Sequence, residues 1–249
     1  MPNGSWAARI EMGAQLTSSH VRIGPSILSS DLLRLGEQIE LAEKAGVDFI
    51  HFDVMDGRFV PNITFGMPVA RAVRRATNLP LDVHLMIVEP ERYVAEFIEA
   101  GADTVTVQVE ACVHLHRTVV RIQELGATAG VALNPSTPLT AITEVAPFLG
   151  NLLIMTVNPG FGGQTFIPPM LDKIRRAREM LDARNPKCRL EIDGGVTQSN
   201  IQRVVDAGGD TIVAGSSIFD GTDQIPANVA ALRRAMSEPV PGKLADSPN

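Results

Sequence analysis

Short apolar runs rich in β-branched residues alternate along this chain with longer stretches whose apolar positions recur every three to four residues. The first pattern fits strands buried on both faces and the second fits amphipathic helices, so together they predict strand-helix units in a parallel sheet. Eight strands are predicted, at RIGPSIL near residue 23, VDFIHFDVM, LDVHLM, DTVTVQV, TAGVAL, LLIMTV, CRLEID and DTIVAG. Eight helices are predicted to follow them, over 31–45, 68–77, 90–100, 112–125, 138–147, 169–184, 197–207 and 223–236.

The predicted helix ends carry a repeated signal. Ala45-Gly46-Val47-Asp48, Ala100-Gly101-Ala102-Asp103 and Ala207-Gly208-Gly209-Asp210 each run directly into a strand. Glycine suits such an exit because it adopts positive φ at little cost. Ser30, Glu89-Pro90 and Thr197 stand where caps and helix starters are expected. No linker interrupts residues 22–236, which favours a single (β/α)8 barrel of the TIM type. An open doubly wound sheet is the weaker alternative, since no GxGxxG follows the first strand.

Composition narrows the picture. A chain of 249 residues, 45% hydrophobic and 20% charged, is globular and long enough for one barrel or two smaller domains. A net charge of −6 with no basic run argues against a nucleic-acid partner. Cys112 and Cys188 stand far apart without metal-binding or disulfide spacing, which fits a reducing cytoplasm. No apolar stretch approaches the length of a membrane span or a signal peptide, so no membrane association is expected. Residues 1–21 read as a polar N-terminal extension and 237–249 as a flexible C-terminal tail.

In such a barrel the reactive groups sit at the C-terminal ends of the strands. There, His51, Asp53 and Met55 are spaced by two and share one side of their strand, as do Asp82, His84 and Met86, and as do Glu191 and Asp193. Inward histidines and aspartates are costly unless charged, paired or bound to a metal. His51, Asp53, His84 and Asp193 make a mixed nitrogen and oxygen set that suits one divalent ion: Zn, Mn, Co or Fe(II). A hydrogen-bonded polar network without metal accounts for the same spacing, so both readings stand at this point.

Small-residue loops follow the last three strands: Asn158-Pro159-Gly160-Phe161-Gly162-Gly163-Gln164, Asp193-Gly194-Gly195 and Ala214-Gly215-Ser216-Ser217. Glycines let backbone N–H groups approach an anion, and barrels often bind phosphate after strands 7 and 8. One such loop makes only a tight turn; three in succession point to a phosphate site.

The segments HFDVMDGRFVPNITFG, DVHLMIVEPERY, GVALNPSTPL, IMTVNPGFGGQTFIP, LEIDGGVTQSNI and VAGSSIF resemble the ribulose-phosphate 3-epimerase family from about Pro25 to Phe219. The resemblance implies a ribulose-phosphate-binding TIM barrel that interconverts D-ribulose 5-phosphate and D-xylulose 5-phosphate by inversion at carbon 3, in the pentose phosphate pathway or a carbon-fixation cycle. It implies one divalent metal held by His51, Asp53, His84 and Asp193, with Asp53 and Asp193 as the acid/base pair. It further implies substrate contacts from Ser26, His84 and Asp193, and from Gly160, Phe161, Gly162, Gly163, Gly194, Gly195, Gly215 and Ser216. Met55, Met86 and Met155 resemble an apolar lid, although core packing explains Met155 equally well. A homo-oligomer is expected. One departure is visible: family members often read FHVEA in strand 4, where this chain has Val107-Gln108-Val109-Glu110-Ala111. His114 and His116 are read as surface or capping residues.

Three other readings compete. A D-allulose 6-phosphate 3-epimerase would use similar groups with more room for substrate. A sugar-phosphate lyase of the same barrel type would be expected to carry a lysine near the ends of strands 2 or 3, yet no lysine occurs between Lys44 and Lys173. A non-catalytic sugar-phosphate-binding protein would not need both aspartates.

Overall fold

The computed structural model describes residues 20–221 and 223–236. The expected N-terminal extension, apart from His20 and Val21, and the expected C-terminal tail lie outside the described residues. Eight strands form one parallel sheet: β1 Arg22–Pro25, β2 Ile50–Met55, β3 Leu81–Met86, β4 Thr104–Gln108, β5 Thr128–Leu133, β6 Asn151–Met155, β7 Arg189–Asp193 and β8 Thr211–Ala214. Each strand pairs with its successor from β2 to β8, and β8 pairs with β1 through Arg22↔Thr211 to Pro25↔Ala214. A parallel bridge between Ser26 and His51 joins β1 to β2 and closes the ring. The result is the (β/α)8 barrel that the alternating pattern predicted.

Seven α-helices lie among the described residues: α1 Leu35–Lys44, α2 Met67–Ala76, α3 Val94–Glu99, α4 Leu115–Glu124, α5 Met170–Arg184, α6 Ile201–Asp206 and α7 Ile225–Ala235. The helix expected over 138–147 is instead two 3-10 turns, Leu139–Ile142 and Ala146–Phe148. Pro138 and Pro147 remove two backbone donors, Pro147 disfavours α geometry before it, and Thr140, Ile142, Thr143 and Val145 are β-branched. Two expected caps also differ. Ser30 Oγ donates to the Ile27 carbonyl, while Asp31 caps the turn Leu32–Arg34. Ahead of α6 the Asn200 side chain accepts from the Thr197 N–H, so Thr197 receives rather than supplies the cap. The glycine exits hold, with φ of 82° at Gly46, 113° at Gly101 and 108° at Gly208.

Alternation along the strands separates two chemistries. Phe52, Val83, Leu85, Val105, Val131 and Ile192 face outward and join the main apolar core against the helices. The alternate positions face the barrel axis, where His51, Asp82, Thr106, Gln108, Asn151 and Glu191 are all buried. The axis is therefore mixed: polar groups gather on the side of β2, β3, β4 and β7, Ala132 and Leu153 fill the side of β5 and β6, and Met55, Met86 and Met155 stand near the mouth. Among the described residues, no helix is long and apolar enough to cross a membrane.

Candidate active site

The strand ends converge, which their spacing alone left open. His51, Asp53, His84 and Asp193 each offer one atom to a group whose members all lie within 4.8 Å of one another. Asp53 is the hub, with Oδ1 3.3 Å from His51 Nε2 and 3.3 Å from His84 Nδ1. Asp193 Oδ2 lies 4.0 Å from His84 Nδ1. Ser26, at the end of β1, donates its hydroxyl to Asp53 Oδ2 at 2.5 Å. His51 and His84 are fully enclosed, whereas Asp53 reaches the cavity above at its edge and Asp193 is more open to it.

Around and beneath this group sit polar partners that spacing alone did not reveal. His51 Nδ1 lies 3.3 Å from Asp82 Oδ2 and 3.2 Å from Glu191 Oε1, and Asn151 Nδ2 donates to Glu191 Oε2. Gln108 Nε2 lies 3.0 Å from His84 Nε2. Strand register explains why: His84 pairs with Thr106, so Gln108, two positions on, faces the axis one step above it. Asp82 and Glu191 were legible as inward residues, but their meeting under His51 depends on the stagger of β2, β3 and β7, which no single strand encodes.

The charges differ sharply within a small volume. Burial pushes the Asp53 carboxyl up, but the imidazoles of His51 and His84 more than offset this and hold it well below the ordinary carboxylate range. Burial, and then the charge of Asp53, push Asp193 up to about 6. Burial and the neighbouring Asp82 push Glu191 up to about 8. Burial opposes charge on His51, yet Asp53, Asp82 and Glu191 raise its imidazole well above the usual histidine range.

A divalent cation fits this group on the chemistry of its donors. His51 Nε2 is buried and has no hydrogen-bond partner, although it points at Asp53. Two carboxylates and two imidazoles converge with Ser26 as the one hydroxyl donor among them, a mixed nitrogen and oxygen set that a divalent cation would satisfy.

Above the group opens a cavity of about 460 Å³, lined by Ser26, Asp53 and Asp193, by Met55, Met86 and Met155, and by all three glycine loops. Gly160, Phe161, Gly162, Gly163, Gly194, Gly195, Gly215 and Ser216 all line it. The loops meet around Ser29, whose Oγ would lie 2.6 Å from a Cβ added at Gly215 and 3.2 Å from one at Gly162. At Gly195, with φ 66°, an added Cβ would overlap the Phe166 backbone nitrogen, which leaves no room for a side chain. His84 is fully buried and does not line the cavity, so it belongs to the group below. Arg203 of α6 also lines the cavity and was not singled out from the sequence, because its helix position gave no sign of facing inward. His114 and His116 are exposed and remote, the latter edge-on to Phe148. Cys112 and Cys188 are free thiols.

Residues 22–219 match the model of the "Ribulose-phosphate 3 epimerase family". The chain is 52% identical over 220 residues to the ribulose-phosphate 3-epimerase of Synechocystis, covering 88% of this chain and 95% of that one. It is 51% identical to the enzyme of that name from Bacillus subtilis, over 82% of this chain and 94% of that one. Among solved structures, it is similar to 3-keto-L-gulonate-6-phosphate decarboxylase from Vibrio cholerae, with a TM-score of 0.67 and 17% identity, covering 88% of this chain and 98% of that one. That last likeness concerns the barrel alone. The chain belongs to the ribulose-phosphate 3-epimerase family.

Proposed function

We propose that this member of the family interconverts D-ribulose 5-phosphate and D-xylulose 5-phosphate, with Asp53 and Asp193 moving the proton at carbon 3. The observation that carries the reading is the pair itself: two carboxylates from β2 and β7 reach one cavity, one held low and the other raised to about 6. Opposed tendencies of this kind are how one site supplies a base and an acid together. The hydrogen on carbon 3 is acidic because the neighbouring carbonyl can take up charge as an enediolate. In one direction ionised Asp53 removes it from one face, and Asp193 delivers a proton to the opposite face. The reverse reaction exchanges the roles.

The remaining groups divide the other tasks. Ser26 holds Asp53 by its second oxygen and leaves the first toward the reacting centre. Met55, Met86 and Met155 line the cavity with buried thioethers, which offer no competing proton acceptor of consequence and keep the local dielectric low. The backbone amides around Gly162-Gly163, Gly194-Gly195 and Gly215-Ser216 take the phosphate. His51, Asp53, His84 and Asp193 would hold one divalent cation, and Zn, Fe(II), Mn and Co all suit that donor set. When bound, such an ion supplies Lewis acidity that draws charge from the substrate oxygens next to the labile hydrogen. Lysine-dependent decarboxylation is disfavoured, since Arg203 is the only cationic side chain lining the cavity among the described residues. A homo-oligomer belongs to the same proposal, and Leu33 and Ile63, 97% and 77% exposed in the loops after β1 and β2, are apolar side chains that such a contact would cover.

Epimerisation of ribulose 5-phosphate in D2O, with allulose 6-phosphate run alongside, tests the reading. Xylulose 5-phosphate carrying deuterium at carbon 3 is the expected product, with slower turnover of the six-carbon ketose. Product without deuterium, or preference for the six-carbon substrate, would overturn it.

A further inference from the structure

The two imidazoles of the ligand group are supported from behind in different ways. His51 turns Nε2 toward Asp53 and has two carboxylates, Asp82 and Glu191, at its Nδ1. Carboxylates accept, so the Nδ1 hydrogen is held there and Nε2 is left to face the centre. His84 is turned the other way. Its Nδ1 faces Asp53 at 3.3 Å, and the atom behind its Nε2, at 3.0 Å, is the side-chain nitrogen of Gln108. Both residues are wholly buried, and Gln108 Oε1 has no hydrogen-bond partner.

A neutral imidazole carries one ring hydrogen. While the Gln108 amide donates to Nε2, that hydrogen is on Nδ1, where it is given to Asp53 and no lone pair is available to a cation. A half-turn of the amide exchanges its oxygen and nitrogen at almost the same volume. The now-unpartnered oxygen then accepts from Nε2–H, and Nδ1 presents a lone pair to the centre. A carboxylate in this position could support only the second arrangement, and an apolar side chain neither.

We propose that Gln108 is a positioning residue that sets which nitrogen of His84 carries the hydrogen, its amide turning as His84 changes from a donor toward Asp53 into a metal ligand. The inference rests on the reading that His51, Asp53, His84 and Asp193 hold a divalent cation. It adds to that reading a residue that lines no part of the cavity and touches the centre only through His84.

The test measures Co²⁺ affinity of metal-free protein by chelator competition, together with the visible absorption of the bound ion, and reads the His84 tautomer by long-range 15N–1H NMR before and after loading with Zn²⁺. Gln108→Met keeps the volume and removes the acceptor; its Kd for Co²⁺ rises about 10–100-fold, the usual range for losing a partner behind a ligating histidine. Gln108→Glu can only accept, and it binds Co²⁺ at least as tightly as the unsubstituted protein. The hydrogen of His84 is found on Nδ1 without metal and on Nε2 with it. Thermal unfolding of the metal-free variants reports that they are folded. A Gln108→Met Kd within twofold of the unsubstituted protein, a Gln108→Glu variant weaker than Gln108→Met, or one tautomer in both states overturns the proposal. Unsubstituted protein that binds no Co²⁺, or binding untouched by His84→Asn, defeats the metal reading and this inference with it. Binding lost in His84→Asn but kept in Gln108→Met defeats the role of Gln108 alone.

Discussion

The two sides of the cavity are built on opposite plans. On the side of β2, β3 and β7, the working groups are side chains fixed on strands, braced from below by Asp82 and Glu191 and from the flank by Gln108. On the side of the loops after β6, β7 and β8, the working groups are backbone amides, made available by the absence of side chains at Gly162, Gly195 and Gly215. The first plan depends on charge and on what lies underneath it. The second depends on empty space, so the two should fail in different ways when altered.

The largest effects are expected from the side-chain plan. Asp53→Asn and Asp193→Asn should each lower kcat by about 10²–10⁴ while the protein stays folded, because each removes a proton-transfer group. Steady-state kinetics beside a thermal melt checks this, and near-normal turnover in either variant would end the two-aspartate account. Chelation should abolish activity reversibly, and elemental analysis of restored protein should find one divalent ion per chain.

The loop plan should fail in binding. Gly215 has an ordinary φ and faces Ser29 Oγ, so Gly215→Val should raise KM by about tenfold or more with a smaller change in kcat and little change in Tm. Gly195→Val combines a positive φ with a clash against the Phe166 backbone, and should lower Tm as well as raise KM. Equal KM in both variants and the unsubstituted enzyme would remove the loops from substrate binding.

A smaller effect separates the plans by pH. Glu191 is pushed up to about 8 in the folded chain, against about 4.3 for a free carboxyl. A raised carboxyl stabilises fully below its unfolded value, and that contribution is lost as pH climbs through the folded one. The Tm of metal-free protein should therefore fall between pH 5 and pH 8, and Glu191→Gln should flatten that fall by on the order of 5 °C. Calorimetry at matched ionic strength measures it; parallel curves for both proteins would remove Glu191 as the cause. The smallest effect concerns basic side chains on α5. Lys173 is spent on the carbonyls of Asn134 and Pro135, and Arg175 is exposed beside Asp172. Lys173→Met and Arg175→Ala should leave KM within about twofold, whereas a tenfold rise in either would move the anion off the backbone amides.

How much of this is legible in the sequence follows the same division. A period of two is a local property, so spacing alone puts His51 with Asp53, Asp82 with His84 and Glu191 with Asp193 on inward faces. The glycine loops are legible for the same reason. What stays hidden depends on stagger between strands: Glu191 under His51, Gln108 behind His84, and Ser29 between the loops of Gly162 and Gly215. Arg203 stays hidden because its orientation comes from how α6 docks. The absent helix after β5 stays hidden because the apolar periodicity of 138–147 masks its two prolines.

The polar side chains on the barrel axis also bear on how the chain finds its fold. Parallel strands of mostly Val, Ile and Leu can slide past one another with little loss, since one aliphatic neighbour resembles the next. A slip of one residue in β3 would carry Asp82 and His84 into the aliphatic layer against the helices and bring Leu81, Val83 and Leu85 to the axis beside His51 and Glu191. Several buried polar groups would lose their partners at once, each at a cost of roughly 1–3 kcal/mol. The residues placed for chemistry thus also act as a ratchet on strand register, and a variant with an aliphatic axis would be expected to gain misaligned, slowly converting species during refolding even where its final stability rose.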